Sequence, residues 1–325
     1  MLLTWSASSG LNPTLSLDFL TPVLDGRITA SGGANGTRVN SSGVIVSATT
    51  PRFDYDPVTL AIKGLLVEEA RTNLFLNSKI DGSNLSTQGV SVTAQAYTIS
   101  FYGTGSITLS GAATATINGA GAYPSRVTST FTPSAGTLTC TVAGTVQYAQ
   151  IEVGSFATSF IPTAGATVTR TADSLTMTGT NFSSWFNASE GTFLSQYVFS
   201  NASSGIGMVY EAATDGSNNH NVFRNGTSLV ASTTNGAVQQ AGFTLTDPVS
   251  SGTVYTSAYA YKVNDFAGCL NGGSVQTDIS GTLPTVNALG LGVRPFDGSL
   301  SLNGWLRSLR YYPRRLTNAQ LQVLT

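Results

Sequence analysis

The sequence predicts an all-β protein built mainly from two antiparallel sandwiches, with one short C-terminal helix. Three observations lead to this prediction. β-branched and aromatic residues alternate with polar residues in many short runs, which is the pattern of half-buried strands. The 35 glycines and 11 prolines supply turn residues between such runs. Hydrophobic residues make up 41% of the chain, which favours a folded protein although only 10% of the residues are charged.

Residues 1–72 are predicted to be an extended N-terminal attachment or oligomerisation region. Alternation in Leu15–Leu20 indicates a strand, and the region closes with a predicted hairpin whose return strand is Leu65–Arg71. Large apolar residues are sparse here. We therefore expect this region to pack on another domain or another subunit, because it has too little apolar surface for a core of its own.

The predicted hairpin holds the densest group of charges in the chain. Side chains two residues apart share a face of a strand, so Glu69 and Arg71 are predicted to lie side by side as a structural ion pair. The alternative is an acidic site for a metal ion or for acid/base chemistry, formed by Asp54, Asp56, Glu68 and Glu69.

Residues 73–170 are predicted to form the first sandwich, with antiparallel strands, because seven alternating runs follow one another at short spacing. In the last run, Val146–Val153, residues Tyr148, Gln150 and Glu152 share one face, which we expect to be exposed. Tyr148 and Gln150 are therefore candidates for glycan contact, with a subunit interface and a plain solvated face as the alternatives. The segment from Ser155 to Asp173 is predicted to link the two sandwiches.

Residues 171–325 are predicted to form the second sandwich. Three of its aromatic residues, Trp185, Tyr255 and Tyr259, are further glycan-binding candidates, with burial in the core as the alternative. The chain closes with a predicted helix, Asn318–Leu324, because Thr317 is followed three residues later by a glutamine, the spacing of a capping box.

Several stretches resemble virion proteins of tailed bacteriophages, of the tail-fibre-like and head-appendage kinds. The resemblance rests on LSLDFLTPVLDGRITASGGANGTRVNSSG, RFDYDPVTLAIKGLLVEEARTNL, GSFATSFIPTAGATVTRTAD and GWLRSLRYYPRRLTNAQLQ. It implies that the first sandwich is a carbohydrate-binding-like jelly roll. Phe266–Gly273 and the C-terminal stretch are similar to laminin-G and concanavalin-like lectin sandwiches, which implies that fold for the second sandwich.

The resemblance implies a structural component of a virion, such as a fibre, spike or head appendage, exposed on the particle exterior after assembly in the host cytoplasm. Expected partners are other copies of the chain, most simply in a homotrimer, other virion proteins, and host-surface polysaccharide. Two alternatives stay open. One is a virion-associated enzyme that degrades glycans, and the other is a capsid-decoration or collar protein without a ligand.

Composition argues against other functions. With 15 basic and 16 acidic residues, the chain is not expected to bind nucleic acid, and no apolar run is long enough for membrane insertion. The single histidine, His220, is placed in a polar loop, and we predict no catalytic residues, no metal site and no cofactor. Cys140 and Cys269 are predicted to be buried free thiols, although a disulfide between them stays possible on sequence grounds.

Overall fold

The computed structural model describes residues 11–201 and 205–325, and it confirms the all-β prediction. This part of the chain is folded into 26 strands and two short helices. The strands are β1 Leu15–Asp18, β2 Thr29–Gly32, β3 Gly36–Val39, β4 Ile45–Ala48, β5 Arg52–Tyr55, β6 Ile62–Val67, β7 Arg71–Asn73, β8 Gln88–Val92, β9 Tyr97–Gly103, β10 Ser106–Gly111, β11 Ala115–Asn118, β12 Gly121–Phe131, β13 Gly136–Ala143, β14 Gln147–Val153, β15 Val168–Arg170, β16 Asp173–Thr178, β17 Glu190–Phe199, β18 Ile206–Asp215, β19 Asn218–Asn225, β20 Ser228–Asn235, β21 Val238–Thr246, β22 Val254–Lys262, β23 Phe266–Leu270, β24 Gln276–Asp278, β25 Ala288–Leu291 and β26 Gly304–Tyr312.

The chain divides into two compact units. The first, which we call the inserted unit, is Ala30–Ser174, and the second, the split unit, contains the described residues up to Thr29 together with Leu175–Thr325. This division differs from the three predicted regions, because residues 30–72 belong to the same unit as the first sandwich. Residues 1–10 of the predicted N-terminal region lie outside the described part of the chain.

The inserted unit contains a sandwich of two antiparallel sheets. One sheet has the strand order β11-β10-β13-β8 and the other β12-β9-β14. Their facing side chains form one hydrophobic core that includes Ile99, Phe101, Ile107 and Leu138. Two hairpins, β3-β4 and β5-β6, and the short pair β15-β7 complete the unit, so the predicted hairpin is present and pairs Arg52 with Leu66.

The split unit is a second sandwich with an aromatic core. Strands β16-β25-β18-β19-β20-β21 form one sheet, and β24-β23-β22-β17-β26-β1 pair in the other. Between the sheets, the ring of Phe193 on β17 stacks on Tyr210 of β18, with centroids 4.7 Å apart. Such aromatic pairs bury much apolar area per residue, which suits a sandwich whose strands are rich in tyrosine and phenylalanine.

Two short helices belong to the split unit, α1 at Thr180–Ser183 and α2 at Asn318–Leu324. The prediction for α2 is confirmed, including its capping box, in which Thr317 and Gln320 bond to each other's backbone N–H groups. Leu321 is completely buried and fixes the helix on the sheet. Neither helix is long and apolar enough to cross a bilayer.

The single histidine lies in the core of the split unit, so its predicted placement in a polar loop is wrong. His220 belongs to β19 and is fully buried. Its ring stacks on Tyr261 at 4.1 Å, and its Nδ1 lies 2.6 Å from the hydroxyl of Thr233. Burial lowers the pKa of His220 to about 3, so the side chain is neutral at pH 7. Cys140 and Cys269 are both buried and free, as predicted.

Candidate binding site

Four buried charged side chains form a network inside the inserted unit. Arg52 and Glu68 come from the hairpin region, and Arg170 and Asp173 come from the end of the segment that follows the sandwich. Each is at most 4% exposed. Arg52 pairs with Asp173 and, at 2.8 Å, with Glu68, and Arg170 lies 3.0 Å from Glu68. The two cations and two anions therefore balance each other within the unit.

Hydrogen bonds complete this network. Burial opposes ionisation of Glu68, but the guanidiniums of Arg170 and Arg52 more than offset it and lower the Glu68 pKa to about 2. Ser159 donates to the same carboxylate from its backbone N–H at 2.7 Å and from its hydroxyl at 2.6 Å. A carboxylate held in this way is not free to bind a metal ion, so the acidic-site alternative is wrong for Glu68.

The remaining acids of that alternative, Asp54, Asp56 and Glu69, do not form a metal-binding group either. In residues 11–201 and 205–325, no group of three or more His, Cys, Asp or Glu side chains is placed to hold a metal ion. The network joins two of the stretches that carry the resemblance to phage proteins, residues 52–74 and 154–173. The charged side chains of these two stretches therefore stabilise the inserted unit by pairing with each other.

The predicted ion pair between Glu69 and Arg71 is present, with Nη2 of Arg71 2.6 Å from the carboxylate. It does not form along one continuous strand as expected, because β6 ends before Glu68 and β7 begins at Arg71. The backbone N–H and C=O of Glu68 bond to Asp173, which takes the chain out of the strand at this point. Arg71 also covers the ring of Phe156 at 4.6 Å.

Two residues of the row predicted to be exposed, Gln150 and Glu152, are fully buried. The segment predicted to be a linker crosses this face of β14. The amide of Gln150 donates to the Thr158 carbonyl at 3.0 Å and accepts from the Ile161 N–H at 3.0 Å. Alternation identified the two faces of the strand correctly but could not show that a distant segment covers the polar one.

The aromatic candidates of the split unit are buried as well. Trp185 contacts Tyr311 in the core, with centroids 5.0 Å apart. Tyr259 has no exposed surface, and Tyr255 has 6%. These three residues therefore belong to the core, which was the alternative interpretation. None of them has a ring face exposed to a sugar.

Tyr148 has a different environment. It forms a group of half-buried rings with Tyr102 and Tyr123, which we call the tyrosine cluster. The ring centroids are 5.1 Å apart for Tyr102 and Tyr123, 6.0 Å for Tyr102 and Tyr148, and 6.2 Å for Tyr123 and Tyr148. Phe160 is buried beside Tyr148 and packs edge-on against its ring at 5.4 Å. The cluster thus presents three aromatic rings at the surface of the inserted unit.

The backbone at Tyr148 is in the left-handed region, with φ of 47°, which is rare for a bulky residue. It lies at a register shift of β14 against β9, between Gln147 and Gln150. A bulge re-aims the side chain that it carries, and such strain persists only where surrounding contacts hold it. The unusual conformation therefore sets the direction in which this ring joins the cluster.

Polar groups lie next to the tyrosine cluster. The hydroxyl of Tyr123 donates to a backbone carbonyl, that of Gly43, at 2.7 Å. Burial raises the pKa of Tyr123, and the nearby carboxylates of Asp54 and Asp56 act in the same direction. Lys63 is partly exposed and lies 3.9 Å from Asp54. The tyrosine cluster therefore has carboxylates in its neighbourhood, those of Asp54 and Asp56.

Sequence reasoning selected Tyr148 but missed Tyr102 and Tyr123. Tyr102 occupies a predicted strand run in which a tyrosine is usually a core residue, so alternation carried no signal for it, and Tyr123 lies in none of the predicted runs. Tyr123 precedes Pro124, which marks the position as irregular but does not show which rings it meets.

No protein-family model and no curated protein matches the chain. Among solved structures, the CBM40 of the Ruminococcus gnavus IT-sialidase bound to α2,3-sialyllactose matches 43% of this chain and 83% of its own, with 13% identity and a TM-score of 0.36. The NanB sialidase of Streptococcus pneumoniae matches 46% of this chain and 26% of its own (10% identity, TM-score 0.38). The receptor-binding domain of botulinum neurotoxin mosaic serotype C/D matches 47% of this chain and 39% of its own (10% identity, TM-score 0.37). At TM-scores this low, these likenesses carry no argument about function.

Proposed function

We propose that this chain is a non-enzymatic structural component of a tailed-phage particle and that it adheres to host-surface glycans. The four stretches that resemble phage virion proteins support the first half of the proposal. The second half is carried by the tyrosine cluster, in which three half-buried rings lie together on a sandwich and one of them is held in a strained conformation.

The tyrosine cluster suits sugars for a physical reason. The C–H face of a sugar ring packs on an aromatic ring, while its hydroxyls need hydrogen-bonding groups at the edge. Tyr102, Tyr123 and Tyr148 supply the rings, and the nearby carboxylate of Asp56 supplies a hydrogen-bonding group. Because the rings hold each other in place, little side-chain entropy is lost when a ligand binds.

The carboxylates of the chain support binding over hydrolysis. A glycosidase needs two carboxyl groups across a groove, one with a raised pKa as the general acid. Hydrogen bonds from Thr59 and Val58 instead lower the pKa of Asp56, beside the tyrosine cluster. Burial raises the pKa of Glu152 and that of Glu211, but both are fully buried and they belong to different units.

The affinity of a single chain for a glycan is expected to be weak, and strong adhesion is expected only when many chains bind together. Sugar hydroxyls exchange water for protein hydrogen bonds at little net gain. We therefore propose that the chain acts as a homo-oligomer, a trimer by analogy with fibres, in many copies on the particle exterior, where linkage raises the effective concentration of each further contact. Since stacking on the tyrosine cluster involves no net charge, binding of neutral glycans is expected to change little with salt.

The test is Tyr148→Gly, measured on an array of bacterial surface glycans with the chain displayed in many copies. Glycine adopts a φ of 47° without strain, so this change removes the ring without stressing the backbone. We expect at least one glycan to bind the wild-type chain and to bind the variant about tenfold more weakly, the equivalent of about 1.4 kcal/mol.

The matched control is Phe131→Ala, which removes another half-buried ring from the same unit, one that stacks on Tyr97 away from the tyrosine cluster. It should leave glycan binding unchanged. Equal binding by wild type and Tyr148→Gly would contradict the assignment of the site. Shortened polysaccharide chains after incubation with the wild-type protein would favour the enzyme alternative, and no binding to any glycan would favour the decoration-protein alternative.

A further inference from the structure

We propose that the split unit carries a second ligand site, a groove that binds the carboxylate of an acidic sugar through Arg310. This inference rests on the proposed glycan adhesion and adds the chemical class of one glycan. It also predicts that the two units recognise different parts of a polysaccharide, since the tyrosine cluster belongs to the inserted unit.

The groove lies on the outer face of the sheet formed by β1, β26, β17 and β22, and it has a volume of about 370 Å³. Strand register places one polar side chain from each strand in a single row. Asp18 is opposite Ser308, Ser308 is opposite Gln196, and Gln196 is opposite Thr256. The amide of Gln196 donates to the Thr256 hydroxyl at 3.1 Å, which keeps the row in order.

Helix α2 lies on the same face of the sheet as the groove. The helix covers the apolar part of the face, where Leu194 and Leu321 belong to one hydrophobic cluster. Leu324 at the end of this helix and the following residue, Thr325, line one side of the groove. The lining therefore combines an apolar floor with a polar row, which is the composition of small-ligand sites.

Arg310 supplies the charge. It is half-buried, lines the groove, and has no ion-pair or hydrogen-bond partner for its side chain among the described residues. Asp18, the acid in the lining, accepts hydrogen bonds from the backbone N–H of Leu20 at 2.9 Å and from the hydroxyl of Thr21 at 3.2 Å. A partly desolvated guanidinium that lines a groove and makes no ion pair of its own is suited to bind a carboxylate through two parallel hydrogen bonds.

The ligand class follows from these groups. A uronic acid has one carboxylate for Arg310, hydroxyls for Gln196 and Ser308, and a C–H face for Leu194. Among the described residues that line the groove, Arg310 is the only cation, which fits the single charge of a sugar carboxylate. A neutral sugar would leave the guanidinium unpaired in the groove, so it should bind less well.

The test measures binding of the displayed chain to polygalacturonate, alginate and hyaluronan, each in native and carboxyl-reduced form. We expect at least one native polymer to bind and its reduced form to bind about 10- to 100-fold more weakly, as for loss of a charged hydrogen bond. Arg310→Gln should bind the native polymer as weakly as wild type binds the reduced one. Arg310→Lys should fall between them, because lysine keeps the charge but not the two-pronged geometry.

The matched control is Arg27→Gln, an arginine of the same unit that already pairs with Asp25 at 2.7 Å, and it should bind as wild type does. Circular dichroism confirms that each variant is folded. Native and reduced polymers that bind wild type equally, or an Arg310→Gln variant that keeps wild-type affinity, would overturn the inference and leave the proposed adhesion intact. Binding of neutral glycans but of no acidic polymer would also overturn the inference and leave the proposed adhesion intact. Binding of no glycan and no polymer by any form would overturn both.

Discussion

Replacing Arg52 by methionine tests the buried charge network directly. The change removes one of its two cations and keeps a long, unbranched side chain. Glu68 would retain Arg170 as a partner, but Asp173 would lose the cation that contacts both of its oxygens. One anionic charge would then stay uncompensated in a site that has almost no contact with water.

The size of the effect can be estimated in two ways. The lowering of the Glu68 pKa from 4.5 to about 2 corresponds to about 3 kcal/mol of stabilisation at pH 7, to which Arg170 and Arg52 contribute. Removing one partner of a buried ion pair costs about 3–5 kcal/mol in other proteins. We therefore expect Arg52→Met to lower the free energy of unfolding of the inserted unit by about 3–5 kcal/mol.

The effect should depend on pH with a defined sign. In the wild type, the pKa of Glu68 is lowered by folding, so its contribution is complete above pH 4.5 and is lost as the pH falls towards 2. In Arg52→Met the Glu68 carboxyl takes up a proton more easily, because one of the two guanidiniums that lower its pKa is gone. The variant is then stabilised by acid relative to wild type, and the difference between the two should narrow from pH 7 to pH 4.

The assay is urea unfolding followed by far-ultraviolet circular dichroism, with hydrogen exchange of peptides from residues 30–174 to assign the transition to the inserted unit. Arg27→Met is the control, because that ion pair with Asp25 is partly exposed and should contribute no more than about 1 kcal/mol. The double variant Arg52→Met with Asp173→Asn removes one charge of each sign, so it should be more stable than the sum of the two single effects. A loss no larger than that of the control would refute the reasoning.

Two further predictions concern single residues. His220 should give one Cε1–H resonance that does not shift between pH 8 and pH 5, since burial lowers its pKa to about 3. Its contribution to stability should be lost as the pH falls from 6.5 towards 3, and a midpoint near 6.5 would place the side chain in solvent. Arg71→Ala should lower the free energy of unfolding by about 1–3 kcal/mol, less than Arg52→Met, because its partner Glu69 is 39% exposed. An unchanged melting temperature and oligomeric state would show that this pair contributes nothing.

Local features of this protein could be predicted from sequence alone. The alternation of apolar and polar residues determined the strands, because successive side chains of a strand point to opposite faces. The spacing of Thr317 and Gln320 determined where α2 begins, since both capping partners lie within one turn. The ion pair between Glu69 and Arg71 was predictable for the same reason, as its members are two residues apart.

Long-range contacts were decided only by the tertiary structure. Arg52 and Asp173 are 121 positions apart, and no periodicity connects them. The burial of Gln150 depends on the segment that crosses β14, and the position of Tyr148 depends on a bulge. Alternation shows that a strand has two faces, but which face is covered depends on distant parts of the chain. For the same reason, only the tertiary structure could show that Tyr102, Tyr123 and Tyr148 meet in one cluster and that Arg310 faces a groove.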